Sequence, residues 1–173
     1  MCARITAKGS AVTLTYSAFE VFEIAEQVER NGAEFYRAAA RLAGDTQVCK
    51  VLLDLAEWEI RHEKTFSRMK CANEKQDRGP GTAESGETLA APKAMAGLAV
   101  FSIKTRPSWQ LRSDSTQTDV LKAAVKNERD TAAFYNGLKS FVCAGGEQEK
   151  IDDIIREEMR HIAILERLLK KTD

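Results

Sequence analysis

The chain has 173 residues, which is enough for one domain with a substantial core but short for two. Lysine plus arginine and aspartate plus glutamate both number 26, so no basic excess argues for a nucleic-acid partner. No apolar run approaches the roughly 20 residues of a membrane-spanning helix, and the N-terminal segment lacks the apolar stretch of a signal peptide. We therefore predict a soluble, cytoplasmic, single-domain protein over residues 1–173 that binds neither nucleic acid nor membrane.

Two long segments of the chain have the apolar periodicity of helices. The first divides at Gly44 and the second at Gly145 and Gly146, because glycine commonly ends a helix. Four helices are therefore predicted, over about residues 17–43, 46–72, 117–143 and 147–171.

The segment between the two helical pairs has a different composition. Residues 73–116 contain all three prolines and a patch rich in glycine, serine and threonine, which is typical of a connection. One short helix is compatible with residues 89–103. The sequence predicts an all-α protein, an antiparallel four-helix bundle of two helical hairpins with a long crossover between helices 2 and 3.

The two helical pairs are repeats of each other. They align without a gap at a constant offset of 99 positions (128 − 29 = 99). Identical pairs include Glu29/Glu128, Arg30/Arg129, Ala33/Ala132, Phe35/Phe134, Tyr36/Tyr135, Glu59/Glu158, Arg61/Arg160 and His62/His161. The two histidines are the only ones in the chain, and each follows a glutamate by three positions. Chance alignment of both is improbable, so we interpret the pairs as two copies of one hairpin.

Each predicted helix carries a glutamate at the same level of its core-facing seam. Four carboxylates in one buried layer need protons or cations, because desolvation and mutual repulsion oppose their ionisation. Two divalent ions would supply four compensating charges. A glutamate from each of two helices with Glu-x-x-His from each of the others is the ligand pattern of di-iron and di-manganese bundles. The predicted ligands are Glu29, Glu59, His62, Glu128, Glu158 and His161.

Other residues of the seam allow two interpretations each. Tyr36 and Tyr135 lie two turns after their glutamates, where each hydroxyl either bonds a ligand carboxylate of the opposite hairpin or merely packs in the core. Gly32 and Thr131 either leave room for oxygen species beside the metals or serve helix packing. A bundle that has lost its metal is the alternative to the site as a whole. Charged residues outside the seam are expected to face solvent: Glu57, Glu63, Glu157 and Lys170. Trp58 and Trp109 receive no role.

The segments VERNGAEFY and EWEIRHE, with KNERDTAAFY and REEMRHI in the second half, resemble the rubrerythrin branch of the ferritin-like superfamily. The resemblance covers about residues 17–72 and 117–171. It implies a carboxylate-bridged centre of two iron ions and a homodimer. In that centre the implied ligands are Glu29 and His62 for one iron, Glu128 and His161 for the other, with Glu59 and Glu158 as bridges.

The resemblance implies a di-iron oxidoreductase that reduces peroxide or dioxygen, with Tyr36 and Tyr135 beside the ligands. Two departures qualify that expectation. No CxxC pair of a rubredoxin-like domain is present, so electrons are expected from a separate donor such as a rubredoxin. Thr131 stands where rubrerythrins have an additional glutamate, which argues against redox-linked ligand switching. A ferroxidase for iron storage or delivery and a non-enzymatic metal-stabilised module are the alternatives. Manganese or a mixed pair fits the same ligands.

Overall fold

The computed structural model describes residues 18–77, 111–139, 142 and 145–172. Within them lie four helices: α1 (Ala18–Leu42), α2 (Thr46–Asp77), α3 (Gln117–Leu138) and α4 (Gly146–Thr172). These ranges contain no β-strand, so the all-α prediction is confirmed. Most of the predicted crossover, including the short helix expected at 89–103, lies outside the described residues.

Two of the helices begin at side-chain caps. The Asp45 carboxylate accepts hydrogen bonds from the backbone N–H groups of Gln47 and Val48, at 2.7 and 2.9 Å. Thr116 and Asp119 form a capping box at the start of α3, in which each side chain accepts from the backbone N–H of the other. Such caps satisfy N–H groups that have no partner within the helix.

Two helices end away from their predicted boundaries. α2 extends to Asp77 rather than 72. Near this end the buried Asn73 side chain donates to a carboxylate oxygen of Glu147 at 2.6 Å. α3 ends at Leu138 rather than near 143. Beyond it, the Gln148 side chain of α4 donates to the carbonyl groups of Lys139 and Val142. Both contacts join residues that are distant in the sequence, so the apolar periodicity of a single helix cannot predict them.

The four helices pack as two hairpins. α1 lies against α2 and α3 against α4, and the hairpins meet where α1 contacts α3 and α2 contacts α4. Buried apolar side chains occupy both sides of one polar layer along each helix. They are Phe22, Ala25 and Ala39 in α1, Leu52, Leu55, Phe66 and Met69 in α2, Leu121, Ala124 and Leu138 in α3, and Ile151, Ile154, Leu165 and Leu168 in α4. Among the described helices, none has the length and apolar character required to cross a membrane.

Candidate metal centre

The polar layer in the middle of the bundle consists of the six predicted ligands. All six residues are buried, and none is more than 4% exposed. Each of the four helices contributes one glutamate, and the second helix of each hairpin adds a histidine one turn later. The ligands predicted from the repeat are Glu29 from α1, Glu59 and His62 from α2, Glu128 from α3, and Glu158 and His161 from α4. The structure therefore brings all six together.

The six side chains form two overlapping groups. In each group, one possible ligand atom from every residue lies within 4.8 Å of those from the others. The first group is Glu29, Glu59, His62 and Glu158, and the second is Glu59, Glu128, Glu158 and His161. Glu59 and Glu158 belong to both. Each group could hold one cation, and the two groups have two carboxylates in common.

Glu158 shows this sharing at the level of single atoms. Its Oε1 lies 3.0 Å from Nδ1 of His62, and its Oε2 lies 3.1 Å from Nδ1 of His161. The two imidazole rings are nearly parallel, with centroids 6.0 Å apart. Glu29 and Glu128, which belong to one group each, lie slightly farther from the histidines. Glu29 Oε2 is 3.6 Å from Nδ1 of His62, and Glu128 Oε1 is 3.5 Å from Nδ1 of His161. Both histidines thus turn Nδ1 towards the carboxylates.

Three buried atoms at the centre make no hydrogen bond: Glu29 Oε2, His62 Nδ1 and Glu158 Oε1. His62 Nδ1 and Glu158 Oε1 are close enough to form one at 3.0 Å. The two atoms are not aligned for a hydrogen bond, and a short distance without alignment contributes little. Buried polar atoms are normally paired. Three unpaired lone-pair donors that converge within one group fit a metal ion, which would bind all three.

Electrostatics also favours cations in this layer. Burial raises the pKa of Glu59 well above its usual range, and repulsion from Glu29 and Glu158 raises it further. Burial and the neighbouring Glu158 likewise raise the pKa of Glu128. Burial alone would lower the pKa of His161, but the adjacent Glu128 and Glu158 outweigh it and raise the pKa to about 9. Without cations, therefore, the layer retains protons that a metal would displace.

Two tyrosines connect the hairpins through the terminal glutamates. The Tyr36 hydroxyl of the first hairpin donates to Glu128 Oε1 of the second at 2.5 Å. Reciprocally, Tyr135 donates to Glu29 Oε1. Burial, and then the carboxylate that each hydroxyl bonds, raises the pKa of both tyrosines. Both hydroxyls therefore keep their protons. Of the two interpretations open from the sequence, the hydrogen bond across the hairpins is the one observed.

The positions between glutamate and tyrosine differ in the two halves. A Cβ atom at Gly32 would lie 3.0 Å from both Cδ and Oε2 of Glu59. The absent side chain is therefore what allows this shared carboxylate to pass α1. Its repeat counterpart Thr131 is buried. Gly32 thus gives room to a ligand, which goes beyond general helix packing.

One charged residue at the centre lies where the sequence does not predict it. Glu157 was expected to face solvent, but its Oε2 lies 2.8 Å from Nε2 of His62. Glu157 therefore contacts Nε2, whereas Nδ1 of the same ring lies near Glu29 and Glu158. Its repeat counterpart is Trp58 (157 − 99 = 58), to which the sequence assigned no role. The Trp58 ring lies beside His161, with centroids 5.9 Å apart. A comparison of the repeat for differences directly before the shared glutamates would have revealed this pair.

Comparisons with known proteins bear on the fold. No protein-family model and no curated protein matches the chain. A crystal structure from Thermotoga maritima, named a candidate ferritin-like diiron-carboxylate protein, is similar with a TM-score of 0.65. The two chains are 21% identical, and the match covers 91% of this chain and 97% of the other. The chain has the ferritin-like fold. The predicted fold class is thereby confirmed, and all four helices of this ferritin-like bundle contribute to the buried centre.

Proposed function

We propose that the chain is a non-haem di-iron oxidoreductase of rubrerythrin type that reduces peroxide or dioxygen. The observation that carries this proposal is the pair of overlapping donor groups, in which Glu59 and Glu158 are shared. Two divalent ions would balance the four buried carboxylates and leave both imidazoles neutral. Carboxylate and imidazole ligands suit iron, and they suit manganese as well.

The residues divide into terminal and shared ligands. Glu29 and His62 would hold one ion, Glu128 and His161 the other, and Glu59 and Glu158 would bind both. Two ferrous ions would supply the two electrons that reduce hydrogen peroxide, with two protons, to two water molecules. The protein keeps the ligands fixed for this chemistry. Tyr135 holds Oε1 of Glu29, so that Oε2 remains directed at the centre. The buried aromatic rings of Phe22 and Phe66 help to exclude bulk water.

Electrons must return to the centre after each turnover. None of the four cysteines forms a CxxC pair, and we propose a separate redox protein, such as a rubredoxin, as the donor.

We also propose a homodimer, on the strength of the family resemblance in VERNGAEFY and EWEIRHE. Sedimentation of the loaded protein at several concentrations tests the dimer, and a single species at monomer mass would refute it.

The test of function begins with metal content and ends with oxidation kinetics. We expect two iron ions per chain after anaerobic loading, and faster oxidation of the diferrous protein by peroxide than by dioxygen in stopped-flow absorbance. Glu59→Ala and His62→Ala should lower the iron stoichiometry. Glu57→Ala is the matched control, because this neighbouring glutamate is exposed. Rapid turnover of excess ferrous iron into a ferric deposit would instead indicate a ferroxidase. Absence of oxidation by either reagent would refute both activities.

A further inference from the structure

The two halves of the centre differ in what lies behind each histidine. Nε2 of His62 lies 2.8 Å from a carboxylate oxygen of Glu157, whose side chain is 29% exposed. In the other half, the Trp58 ring lies beside His161 with centroids 5.9 Å apart, and it lies 6.4 Å from the His62 ring as well. An indole offers one N–H donor and no acceptor in its plane. The two halves therefore have the same ligands, but only His62 has a carboxylate partner at Nε2 among the described residues.

The carboxylate of Glu157 determines how His62 presents its nitrogens. With an ion bound, a hydrogen bond from Nε2–H to Glu157 would keep the proton on the outer nitrogen and leave the Nδ1 lone pair for the metal. It also fixes the rotation of the ring. Carboxylate partners of this kind increase the basicity of a metal-bound histidine, and their loss typically lowers metal affinity. Trp58 provides no such acceptor for His161.

A second observation distinguishes the same two halves. Among the ligand atoms of the centre, the three buried ones without a hydrogen-bond partner all belong to the group that contains His62: Glu29 Oε2, His62 Nδ1 and Glu158 Oε1. In the other group, His161 Nδ1 is already hydrogen-bonded to Glu158 Oε2 at 3.1 Å. An ion entering the first group has no internal hydrogen bond of these atoms to replace. An ion entering the second must replace the bond between His161 and Glu158.

We infer that Glu157 is a positioning residue that makes the two metal positions unequal, so that the Glu29–His62 position binds the first ion and the Glu128–His161 position the second. This inference rests on the proposed metal centre but not on its oxidase or peroxidase activity. It assigns an order of loading to a site whose ligands alone are symmetric.

Stepwise loading with Zn²⁺ tests the order, because Zn²⁺ is redox-inert and the chain contains only two histidines. Long-range ¹H–¹⁵N NMR of the imidazoles gives one set of signals for each ring, assigned with His62→Ala and His161→Ala. The first equivalent of Zn²⁺ should shift Nδ1 of His62, and the second should shift Nδ1 of His161. Simultaneous shifts, or His161 first, would overturn the inference. Failure of the wild type to bind any Zn²⁺ would instead refute the metal centre itself.

Affinity measurements test the role of Glu157. In competition with a chromophoric chelator, Glu157→Ala should weaken the first binding step by about 10- to 100-fold and leave the second unchanged. Glu157→Gln should recover much of that loss, because its amide oxygen accepts the same N–H. Glu57→Ala is the control on an exposed glutamate. In a His62→Ala background, Glu157→Ala should have no further effect. Equal weakening of both steps by Glu157→Ala would show a general electrostatic role and overturn the inference.

Discussion

Replacing Gly32 with alanine places a methyl group against the shared carboxylate of Glu59. The new Cβ atom would lie 3.0 Å from Cδ and Oε2, and 3.3 Å from Cγ. Ordinary contact begins at 3.4 Å, so the carboxylate has to retreat by about 0.4 Å (3.4 − 3.0). Ligand distances in metal sites vary by only about 0.2 Å. We therefore expect Gly32→Ala to weaken metal binding by at least about tenfold, a loss comparable to that of a residue supporting a ligand.

The same substitution has a separate effect on the metal-free protein. Alanine favours a helix over glycine by about 1 kcal/mol, whereas overpacking a core costs about 1–3 kcal/mol. The net change in the free energy of unfolding should lie between zero and a loss of about 2 kcal/mol. Gly137→Ala is the matched control, because it also lies in a helix and its Cβ would meet nothing within 4 Å. It should gain up to about 1 kcal/mol by helix propensity.

Chelator competition with Zn²⁺ measures the metal affinity, and urea denaturation of the metal-free proteins measures the free energy of unfolding. The reasoning requires that Gly32→Ala lose affinity while Gly137→Ala retains it. If Gly32→Ala bound two ions as tightly as the wild type, the contact between α1 and Glu59 would not constrain the ligand. The assignment of Gly32 to the centre would then be wrong.

Three further predictions concern stability. Tyr36→Phe and Tyr135→Phe should each destabilise the metal-free protein by about 1–3 kcal/mol in urea denaturation, because each leaves a buried carboxylate without its hydroxyl donor. The metal-free protein should also lose stability as the pH rises from 6.5 to 9. The folded-state pKa of His161, about 9, lies above its ordinary value of 6.5, so its contribution is complete below 6.5 and disappears as the pH approaches 9. This loss is at most about 3.4 kcal/mol. Finally, Asp45→Ala should lower the free energy of unfolding by about 1 kcal/mol through loss of the α2 cap.

Each of these predictions has a result that contradicts it. Wild-type stability in both tyrosine variants would show that the hydroxyls are not needed by the glutamates. Equal or greater stability of the metal-free protein at pH 9 would contradict the raised pKa of His161. Asp54→Ala is the control for the cap, because Asp54 is an exposed aspartate within α2 and should change stability by no more than about 0.5 kcal/mol. Equal effects of Asp45→Ala and Asp54→Ala would exclude a capping role.

The sequence was sufficient to predict the fold class and the six buried residues of the centre. It succeeded because the internal repeat aligns Glu29 with Glu128 and His62 with His161 at one offset. From those identities a two-fold arrangement of the hairpins can be inferred without any information on side-chain contacts. The direction of the tyrosine hydroxyls, by contrast, was open between two interpretations, since it depends on which hairpin faces which.

What the sequence did not reveal depends on contacts between distant residues. Glu157 is a charged residue outside the apolar seam, as an exposed helical position would be. Only the packing of α4 against α2 brings it to His62. The end of α3 is likewise met by the side chain of Gln148 on the next helix. The identities of the repeat also carry no signal for the positions at which its two halves differ. Trp58 and Glu157, which occupy equivalent positions of the two halves, are such a difference.

The reciprocal hydrogen bonds between Tyr36 and Glu128 and between Tyr135 and Glu29 have a consequence for ancestry. Each donor group takes three residues from one hairpin and its fourth, Glu158 or Glu59, from the other. A solitary hairpin would thus lack one ligand and the tyrosine that braces its own glutamate, and two identical hairpins would complete each other. The chain has the layout of a symmetric pair of hairpins fused into one polypeptide. Fusion removes the requirement that both copies mutate alike, which allows positions 58 and 157 to diverge.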